Sequence, residues 1–169
     1  GNGLSMFNKK NKTFKNYDIT DGLDNLEFND GAFYKYEDGT MYFGGNDGIN
    51  FFKPDEIKGN PFIPNIAITD FQIFYSTVNG SHENPFLKTN IQYAEEIILT
   101  YTESVFSFEF AALIFNNPQK NQYAYMMEGF DEDWVYCGTR RTATYMNLDP
   151  GEYTFRVKGS NHDGLWNDE

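Results

Sequence analysis

The sequence has a single cysteine and few basic residues. Cys137 is alone among 169 residues, which excludes an internal disulfide and any zinc or iron–sulfur site that needs several cysteines. Lys and Arg number 13 against 25 Asp and Glu, so the net charge is −12. A chain this acidic repels phosphate backbones and anionic lipid, and we therefore do not expect it to bind nucleic acid or a membrane surface.

Long apolar runs are also missing. No stretch approaches the roughly 18 uncharged apolar residues that span a bilayer. The amino terminus lacks the basic and then apolar pattern of a signal peptide. If the chain belongs to an exported or membrane protein, we expect the addressing and anchoring segments to lie outside it.

Aromatic residues, by contrast, are abundant. The chain has 17 Phe, 12 Tyr and 2 Trp, which together make 18% of its residues. This content excludes a disordered chain, because it supplies ample apolar surface for a core. Aromatic side chains suit pleated, half-buried surfaces, so the composition favours β structure.

A repeat occurs in the first sixty residues. Residues 3–8 (GLSMFN) recur as residues 48–53 (GINFFK), an offset of 45 that is typical of β-propeller blades. Between the copies, Asp38-Gly39 separates two alternating segments and predicts a hairpin with a type I′ turn. We therefore predict three strands of one blade, preceded by the tail of another. The alternative is an unrelated β-meander with a chance repeat.

Proline and glycine mark a boundary near residue 60. Because proline cannot serve a central strand, the cluster predicts a linker, with a blade fragment at 1–60 and a second domain at 61–169. The second domain contains short alternating segments separated by turn signals, and a change of parity near Thr69–Asp70 indicates a bulge. This spacing predicts a β-sandwich or barrel. The alternating segments are 66–73, 97–101, 106–110, 123–127 and 153–158.

Residues 148–153 (LDPGEY) are the most informative stretch. A leucine, a turn at Pro150-Gly151 and then Tyr153 at the start of a strand describe a tyrosine corner, whose hydroxyl bonds to upstream backbone. This order resembles the last third of a fibronectin type III domain. The predicted fold is therefore an all-β, fibronectin-III- or immunoglobulin-like sandwich, preceded by a terminal β-propeller blade fragment.

The second half resembles the Y_Y_Y domain family, and its three tyrosines correspond to Tyr125, Tyr145 and Tyr153. The matching stretches are 106–112 (FSFEFAA), 121–134 (NQYAYMMEGFDEDW), 141–153 (RTATYMNLDPGEY) and 161–166 (NHDGLW). The first half resembles the two-component-regulator propeller repeat. That resemblance lies in residues 22–23 (GL), 27–29 (EFN), 38–39 (DG) and 43–45 (FGG).

This pair of modules, in this order, resembles the end of the periplasmic sensor region of hybrid two-component histidine kinases of Bacteroidetes. The resemblance implies a membrane-anchored protein at the periplasmic face of the inner membrane. It also implies a kinase, a receiver and an AraC-type module that connect a phosphorelay to transcription. The implied ligand of the intact receptor is an oligosaccharide released from a complex glycan. The segment itself is expected to relay the signal without touching the membrane.

The chain departs from the family pattern in two respects. It stops at residues 167–169, where the family adds a final strand, and it carries only the end of the propeller. Unpaired strand edges promote association with another chain. We therefore predict a homodimer or an edge-to-edge oligomer.

No residue pattern predicts catalysis, a metal or a cofactor. His82 and His162 fall in loop-like segments and are expected to be solvated, and Cys137 is expected to fill a packing site. Asp131-Glu132-Asp133 lacks calcium-loop spacing and is expected to cap a turn. Without a nucleophile and base in one pocket, the segment is not predicted to be an enzyme.

Four residues are candidates for carbohydrate binding. Trp134 and Trp166 offer flat rings, and Arg140 and Arg141 offer nearby polar groups. We favour the simpler expectation that Trp134 packs in the sandwich and that the two arginines form a solvated turn. The alternative function is a free-standing carbohydrate-binding or adhesin-type surface module. It predicts tight glycan binding by residues 61–169 alone, lost on Trp134→Ala.

Overall fold

A computed structural model describes residues 3–167 and shows an all-β chain, as predicted. Within these residues, twelve strands form antiparallel sheets, and the other regular segments are short 3-10 turns. The chain divides into two compact units, Gly1–Gly59 and Asn60–Glu169. Among residues 3–167, no helix has the length and apolar character required to cross a bilayer.

Unit 1 contains a two-stranded hairpin and a three-stranded sheet in chain order. Gly3 and Gly48, the first residues of the two repeat copies, both have positive φ (96° and 134°), and each leads into a strand. The two copies therefore share a glycine-dependent start, because positive φ is readily adopted only without a Cβ. The strands are β1 (Leu4–Asn8), β2 (Thr13–Tyr17), β3 (Phe28–Lys35), β4 (Met41–Gly45) and β5 (Gly48–Phe52).

The hairpin between β3 and β4 forms as predicted, but its type I′ turn does not. The Tyr36 N–H donates to the Thr40 carbonyl oxygen at 2.8 Å, and the Gly39 N–H donates to the Tyr36 carbonyl oxygen at 3.0 Å. Of Asp38 and Gly39, only Gly39 has positive φ. The result is a three-residue loop with glycine in the left-handed position. The Asp38 carboxylate stabilises this loop by accepting the Thr40 N–H at 2.9 Å.

Unit 2 is a sandwich of two antiparallel sheets, which confirms the predicted fold class. One sheet has the order β11-β8-β6-β7 and the other has the order β10-β9-β12. The strands are β6 (Ile66–Ile73), β7 (Ser76–Thr77), β8 (Val105–Ala112), β9 (Gln122–Glu128), β10 (Val135–Gly138), β11 (Thr142–Met146) and β12 (Thr154–Ser160).

The core of unit 2 is aromatic and lies between the sheets. Phe108 of β8 stacks on Phe155 of β12 with ring centroids 4.1 Å apart and planes 10° apart. The alternation predicted for β8 is confirmed, because Phe106, Phe108 and Phe110 are all buried. These aromatic rings fill the space between the sheets with apolar surface removed from water.

The predicted bulge near Thr69–Asp70 is confirmed. Ile68 pairs with Phe110 and Asp70 pairs with Glu109, so Thr69 is the extra residue in the β6–β8 ladder. The bulge explains why the buried residues of β6 change parity along the strand.

The prediction of a strand at 97–101 is wrong. Ile97 and Leu99 pack against the core as the alternation requires, but Tyr101 is 91% exposed. The Ile98 N–H donates to the Phe86 carbonyl oxygen, yet no ladder follows. The Glu103 carboxylate accepts the Thr100 N–H at 2.8 Å, and the chain turns there before it can pair further.

Candidate functional site

Two of the three family tyrosines meet in the core of unit 2. Tyr125 and Tyr145 contact edge to face, with ring centroids 6.1 Å apart. The Tyr145 hydroxyl donates to Asp131 Oδ2 at 2.7 Å, and the same oxygen accepts the Met127 N–H at 2.7 Å. Burial and the Asp131 carboxylate raise the pKa of Tyr145 well above its usual value. Asp131 therefore does more than cap a turn, since it ties β9 to β11.

The two candidate arginines do not act as a pair. Both arginines are exposed, but only Arg140 contacts a candidate tyrosine: its guanidinium donates to the Tyr125 hydroxyl at 3.2 Å. Burial raises the pKa of Tyr125, and the positive charge of Arg140 opposes that rise. The prediction that the two arginines form a solvated turn is therefore incomplete, because Arg140 also contacts Tyr125 of the core.

Tyr153 has the geometry of a tyrosine corner. Its hydroxyl donates to the Asp149 carbonyl oxygen at 2.9 Å, across the turn that contains Pro150 and Gly151. A Cβ at Gly151 would lie 3.4 Å from the Tyr153 ring. This is an ordinary van der Waals distance, so the turn packs against the ring without needing a glycine there for space.

We expect Tyr153→Phe to lower the free energy of unfolding of unit 2 by about 1 kcal/mol. The value is at the low end for a lost hydrogen bond because Tyr153 is only half-buried and water can solvate the freed carbonyl. The check is thermal unfolding followed by tryptophan fluorescence, since Trp134 and Trp166 both lie in unit 2. An unchanged melting temperature would show that the corner bond does not contribute.

An aromatic cluster surrounds Lys158 on the β10-β9-β12 sheet. The Lys158 ammonium lies 4.4 Å from the ring centroid of Trp134, 5.5 Å from that of Tyr136 and 5.8 Å from that of Trp166. Trp134 and Trp166, two candidate sugar-binding residues, are therefore brought together around one cation. Trp134 lies against Lys158 and not in the core, so the expectation that it packs inside the sandwich is wrong.

Lys158 makes this cluster less suitable for stacking against a sugar ring. Stacking of a sugar needs an open ring face, and the side chain of Lys158 lies over the Trp134 ring. Tyr136 and Trp166 also contact each other edge to face, with centroids 5.5 Å apart. The arrangement holds the segment that carries Trp166 against β10 and β12.

Asn161 joins two segments of unit 2 that are about a hundred residues apart. Its side chain is buried, and its amide donates to the carbonyl oxygens of Asn60 at 2.8 Å and Phe62 at 2.9 Å. Its Oδ1 accepts the N–H groups of Asp163 at 2.9 Å and Leu165 at 3.0 Å. All four hydrogen-bonding positions of the amide are thus used. We call these five residues the Asn161 clamp.

Two further contacts surround the clamp. The Asn60 N–H donates to the Asp163 carboxylate, and His162 Nε2 lies 3.6 Å from that carboxylate. The side chain of His162 is only 10% exposed, so the expectation of a solvated loop histidine is wrong there, whereas His82 is exposed. The loop folds back on residue 60, which removes His162 from water.

The chain after the clamp returns to the edge of β12. Trp166 forms an antiparallel bridge with Ser160, and Asn167 exchanges two hydrogen bonds with Gly159 at 3.0 and 2.7 Å. Residues 161–167 are therefore fixed both to residues 60–62 and to β12. The sequence identified 161–166 by resemblance, but it gave no signal that Asn161 would be buried.

The described residues offer little for metal chemistry. Across residues 3–167, His, Cys, Asp and Glu form no group of three or more that could hold a metal ion. Cys137 is half-buried, and its thiol donates to the Tyr123 carbonyl oxygen at 3.3 Å. Burial raises the pKa of this thiol, which lowers its reactivity.

Comparison with known proteins gives similarity along almost the whole chain. Residues 114–169 match the Y_Y_Y domain. Histidine kinase P4 of Formosa agariphila is 38% identical over 167 residues, which is 99% of this chain and 12% of the kinase. The chain thus spans only a small part of that protein's length.

Solved structures agree with this similarity. One is the extracellular domain of the proposed hybrid two-component system BT3049 from B. thetaiotaomicron, with a TM-score of 0.72 and 28% identity. Another is the extracellular domain of BT4673 from the same organism, with a TM-score of 0.55 and 26% identity. In both comparisons the match covers 99% of this chain and 22% of the solved chain. The chain therefore resembles extracellular sensor-type domains and not a catalytic domain.

Proposed function

Because residues 114–169 match the Y_Y_Y domain, we propose that this chain is a signal-relay segment in the periplasmic region of a membrane-anchored hybrid histidine kinase. The intact receptor responds to an oligosaccharide derived from a complex glycan. This segment passes the ligand state towards the membrane, and the kinase, outside this segment, alters transcription through a phosphorelay.

The Asn161 clamp is the observation that carries the proposal. Residues 60–62 follow unit 1 directly in the sequence, and residues 161–167 follow the last sandwich strand. The clamp joins these two segments through one buried amide. A displacement of residues 60–62 is therefore passed to residues 161–167 and, through the contacts of Trp166 with Ser160 and of Asn167 with Gly159, to the end of β12. Relay also requires that ligand bind two arrangements of the receptor with different affinity.

A dimer would convert this displacement into a signal. β12 pairs with β9 on one side, and along its other side Trp166 and Asn167 reach only its last residues. Free strand edges favour association with a second chain. The proposed relay is a change in how two sandwiches sit against each other in a homodimer.

The alternative, a free-standing carbohydrate-binding or adhesin-type module, would place the sugar on the sandwich itself. Lys158 over the Trp134 ring disfavours it. This alternative requires that glycan binding by the sandwich be lost on Trp134→Ala, whereas the relay does not use that ring.

The test uses the intact receptor in membranes and measures its phosphorylation after exposure to digests of a panel of purified polysaccharides. We expect at least one digest to change phosphorylation, and Asn161→Ala to abolish that change because it uncouples residues 60–62 from residues 161–167. Tyr153→Phe serves as a control that weakens the sandwich without touching the clamp, and it should keep the response.

Receptor amount in the membrane is measured for each variant, so that loss of protein is separated from loss of signal. A normal response in Asn161→Ala would contradict relay through the clamp. If none of the digests changes phosphorylation of the unaltered receptor, glycan sensing itself is contradicted.

A further inference from the structure

The short loop between β6 and β7 in unit 2 has an unfavourable backbone. Ile73 of β6 pairs with Ser76 of β7, so the loop contains only Phe74 and Tyr75. Both residues have positive φ (48° and 65°). Two-residue loops with positive φ at both positions favour Asn-Gly, because a Cβ opposes this conformation and a bulky side chain opposes it further. Two aromatic residues therefore stand where the turn favours small ones.

Packing in the core does not explain these two residues. Phe74 is 50% exposed and Tyr75 is 72% exposed, whereas the preceding Ile73 packs against the core. Strained positions of this kind cluster at functional sites. The exposed rings therefore point to a role outside the fold of the sandwich.

A third exposed ring lies at the same end of the sheet. Tyr101 is 91% exposed and belongs to the turn at residues 100–103, just before β8. The Phe74 N–H donates to the carbonyl oxygen of Val105, the first residue of β8, at 3.0 Å. The loop and the start of β8 are thus side by side. We call Phe74, Tyr75 and Tyr101 the aromatic tip.

The aromatic tip lies at the end of the sandwich opposite the Asn161 clamp. β6 begins at Ile66, shortly after clamp residues 60–62, and ends beside the tip. The Ile66 side chain lies against Gly159, near the end of β12, so β12 runs from the end of the tip to the end of the clamp. Trp166 and Asn167 then pair antiparallel with β12. This pairing directs the chain back towards the aromatic tip.

The segments that carry the aromatic tip are uncharged, although the chain as a whole is acidic. No Asp, Glu, Lys or Arg occurs between Asp70 and Glu83, or between Glu96 and Glu103. Aromatic side chains are enriched where the hydrocarbon of a bilayer meets its headgroups, because the ring is apolar and a tyrosine hydroxyl is polar. A neutral group of one Phe and two Tyr therefore fits the surface of a zwitterionic bilayer.

The size of the aromatic tip disfavours a protein as its partner. Three rings with these exposures can lose roughly 400 Å² of accessible surface. A stable protein partner buries about 800 Å² per side. A second copy bound by the tip alone would therefore dissociate, whereas a few inserted rings can add to the attachment of a protein that is already anchored.

We infer that the aromatic tip inserts into the headgroup region of the bilayer. Phe74 reaches the acyl boundary, and Tyr75 and Tyr101 keep their hydroxyls among the headgroups. The inference rests on the proposed function, which places a membrane next to this segment. It departs from the expectation that the segment does not touch the membrane, because a net negative charge opposes anionic lipid and not the insertion of neutral rings.

The test measures partitioning of the 169-residue chain into sucrose-loaded vesicles by sedimentation. Neutral vesicles contain phosphatidylcholine and phosphatidylethanolamine, and anionic vesicles have a third of this lipid replaced by phosphatidylglycerol. A single myristoyl chain partitions with a constant of about 10⁴ M⁻¹, so a few rings require lipid at about 10 mM. We expect partitioning into neutral vesicles. Partitioning into anionic vesicles should be weaker at about 50 mM salt and should recover at about 500 mM, because salt screens the repulsion.

Matched double variants locate the contact. Phe74→Asn with Tyr75→Gly removes two rings and supplies the residue pair that the turn favours. Partitioning should fall by at least about tenfold, and the urea midpoint of unfolding should stay the same or rise. The control is Leu113→Asn with Phe115→Gly. It removes two side chains that are 58% and 95% exposed at the end of the clamp, where the Leu113 N–H donates to the Asn65 carbonyl oxygen. The control should change partitioning by less than about twofold.

Five results would overturn the inference: no partitioning into neutral vesicles, partitioning into anionic vesicles alone, equal loss in both double variants, a lower urea midpoint in the tip variant, or self-association that the tip variant abolishes. A lower midpoint would show that the rings stabilise the fold, and self-association would identify a second copy as the partner. None of these results bears on relay through the Asn161 clamp, which the phosphorylation test examines separately.

Discussion

Replacing Asn161 by aspartate is expected to lower the free energy of unfolding of unit 2 by about 3 kcal/mol or more at neutral pH. The substitution preserves the shape of the side chain, but it places a carboxylate oxygen where the amide donates to the Asn60 and Phe62 carbonyl oxygens. Two favourable hydrogen bonds become repulsive contacts, and the charge is introduced at a buried position.

The loss should depend on pH in a definite direction. Burial and the two carbonyl oxygens raise the pKa of the introduced carboxyl in the folded state above its unfolded value of about 3.9. With a raised folded pKa, stability is retained below the unfolded pKa and is lost as pH rises through the folded pKa. The difference in the free energy of unfolding between the Asn161→Asp variant and the unaltered protein should therefore be smallest near pH 4 and should increase towards pH 7.

The measurement is chemical unfolding followed by tryptophan fluorescence, which reports on unit 2 because both tryptophans lie there. Asn167→Asp is the matched control, since Asn167 accepts the Gly159 N–H through Oδ1 and a carboxylate keeps that bond. We expect the control to change stability by less than about 0.5 kcal/mol. Equal losses in the two variants would show that the clamp does not stabilise the sandwich.

Replacing Asp131 by alanine is expected to lower the free energy of unfolding by about 3 kcal/mol. The Asp131 carboxylate accepts both the Tyr145 hydroxyl and the Met127 N–H at 2.7 Å, and Tyr145 is buried. Alanine leaves both donors without that acceptor. Hydrogen bonds to charged groups contribute more than neutral ones, so the effect should exceed that of Tyr153→Phe.

Glu132→Ala, at the adjacent position, is the control. Because Glu132 is exposed, its replacement should change the free energy of unfolding by less than about 0.5 kcal/mol. A double-mutant cycle with Tyr145→Phe isolates the Asp131–Tyr145 contact, and the two changes should be non-additive by about 1 kcal/mol or more. Strict additivity would mean that the contact contributes nothing, and equal effects of Asp131→Ala and Glu132→Ala would assign both residues to a solvated turn.

The sequence alone determined those features that depend on local geometry. Side chains two residues apart share a face of a strand, so the alternation of Phe106, Phe108 and Phe110 directly indicated one buried face. The bulge at Thr69 was also visible, because an extra residue shifts that alternation. The same reasoning failed at 97–101, since alternation shows which side chains are buried and not whether a neighbouring strand is present to pair.

The resemblance placed Tyr125, Tyr145 and Tyr153, and the corner pattern predicted the upstream backbone partner of Tyr153. The side-chain partners of Tyr125 and Tyr145 could not be predicted. Asp131 was one of three consecutive acidic residues, and only the folded chain shows which of them reaches Tyr145. Trp134 was expected to pack in the sandwich, whereas the sheet places it against Lys158.

Asn161 is the clearest example of a structural feature that the sequence did not predict. As a polar residue before Asp and Gly it is typical of a solvated turn, and the turn does form. Asn161 is buried because residues 60 and 62, which lie about a hundred residues earlier in the sequence, pack over the same loop. The sequence thus determined the buried face of strands such as β8, the acidic charge and the family resemblance, which depend on composition and neighbours. The tertiary structure alone decided which buried polar groups meet, because that depends on how distant segments pack.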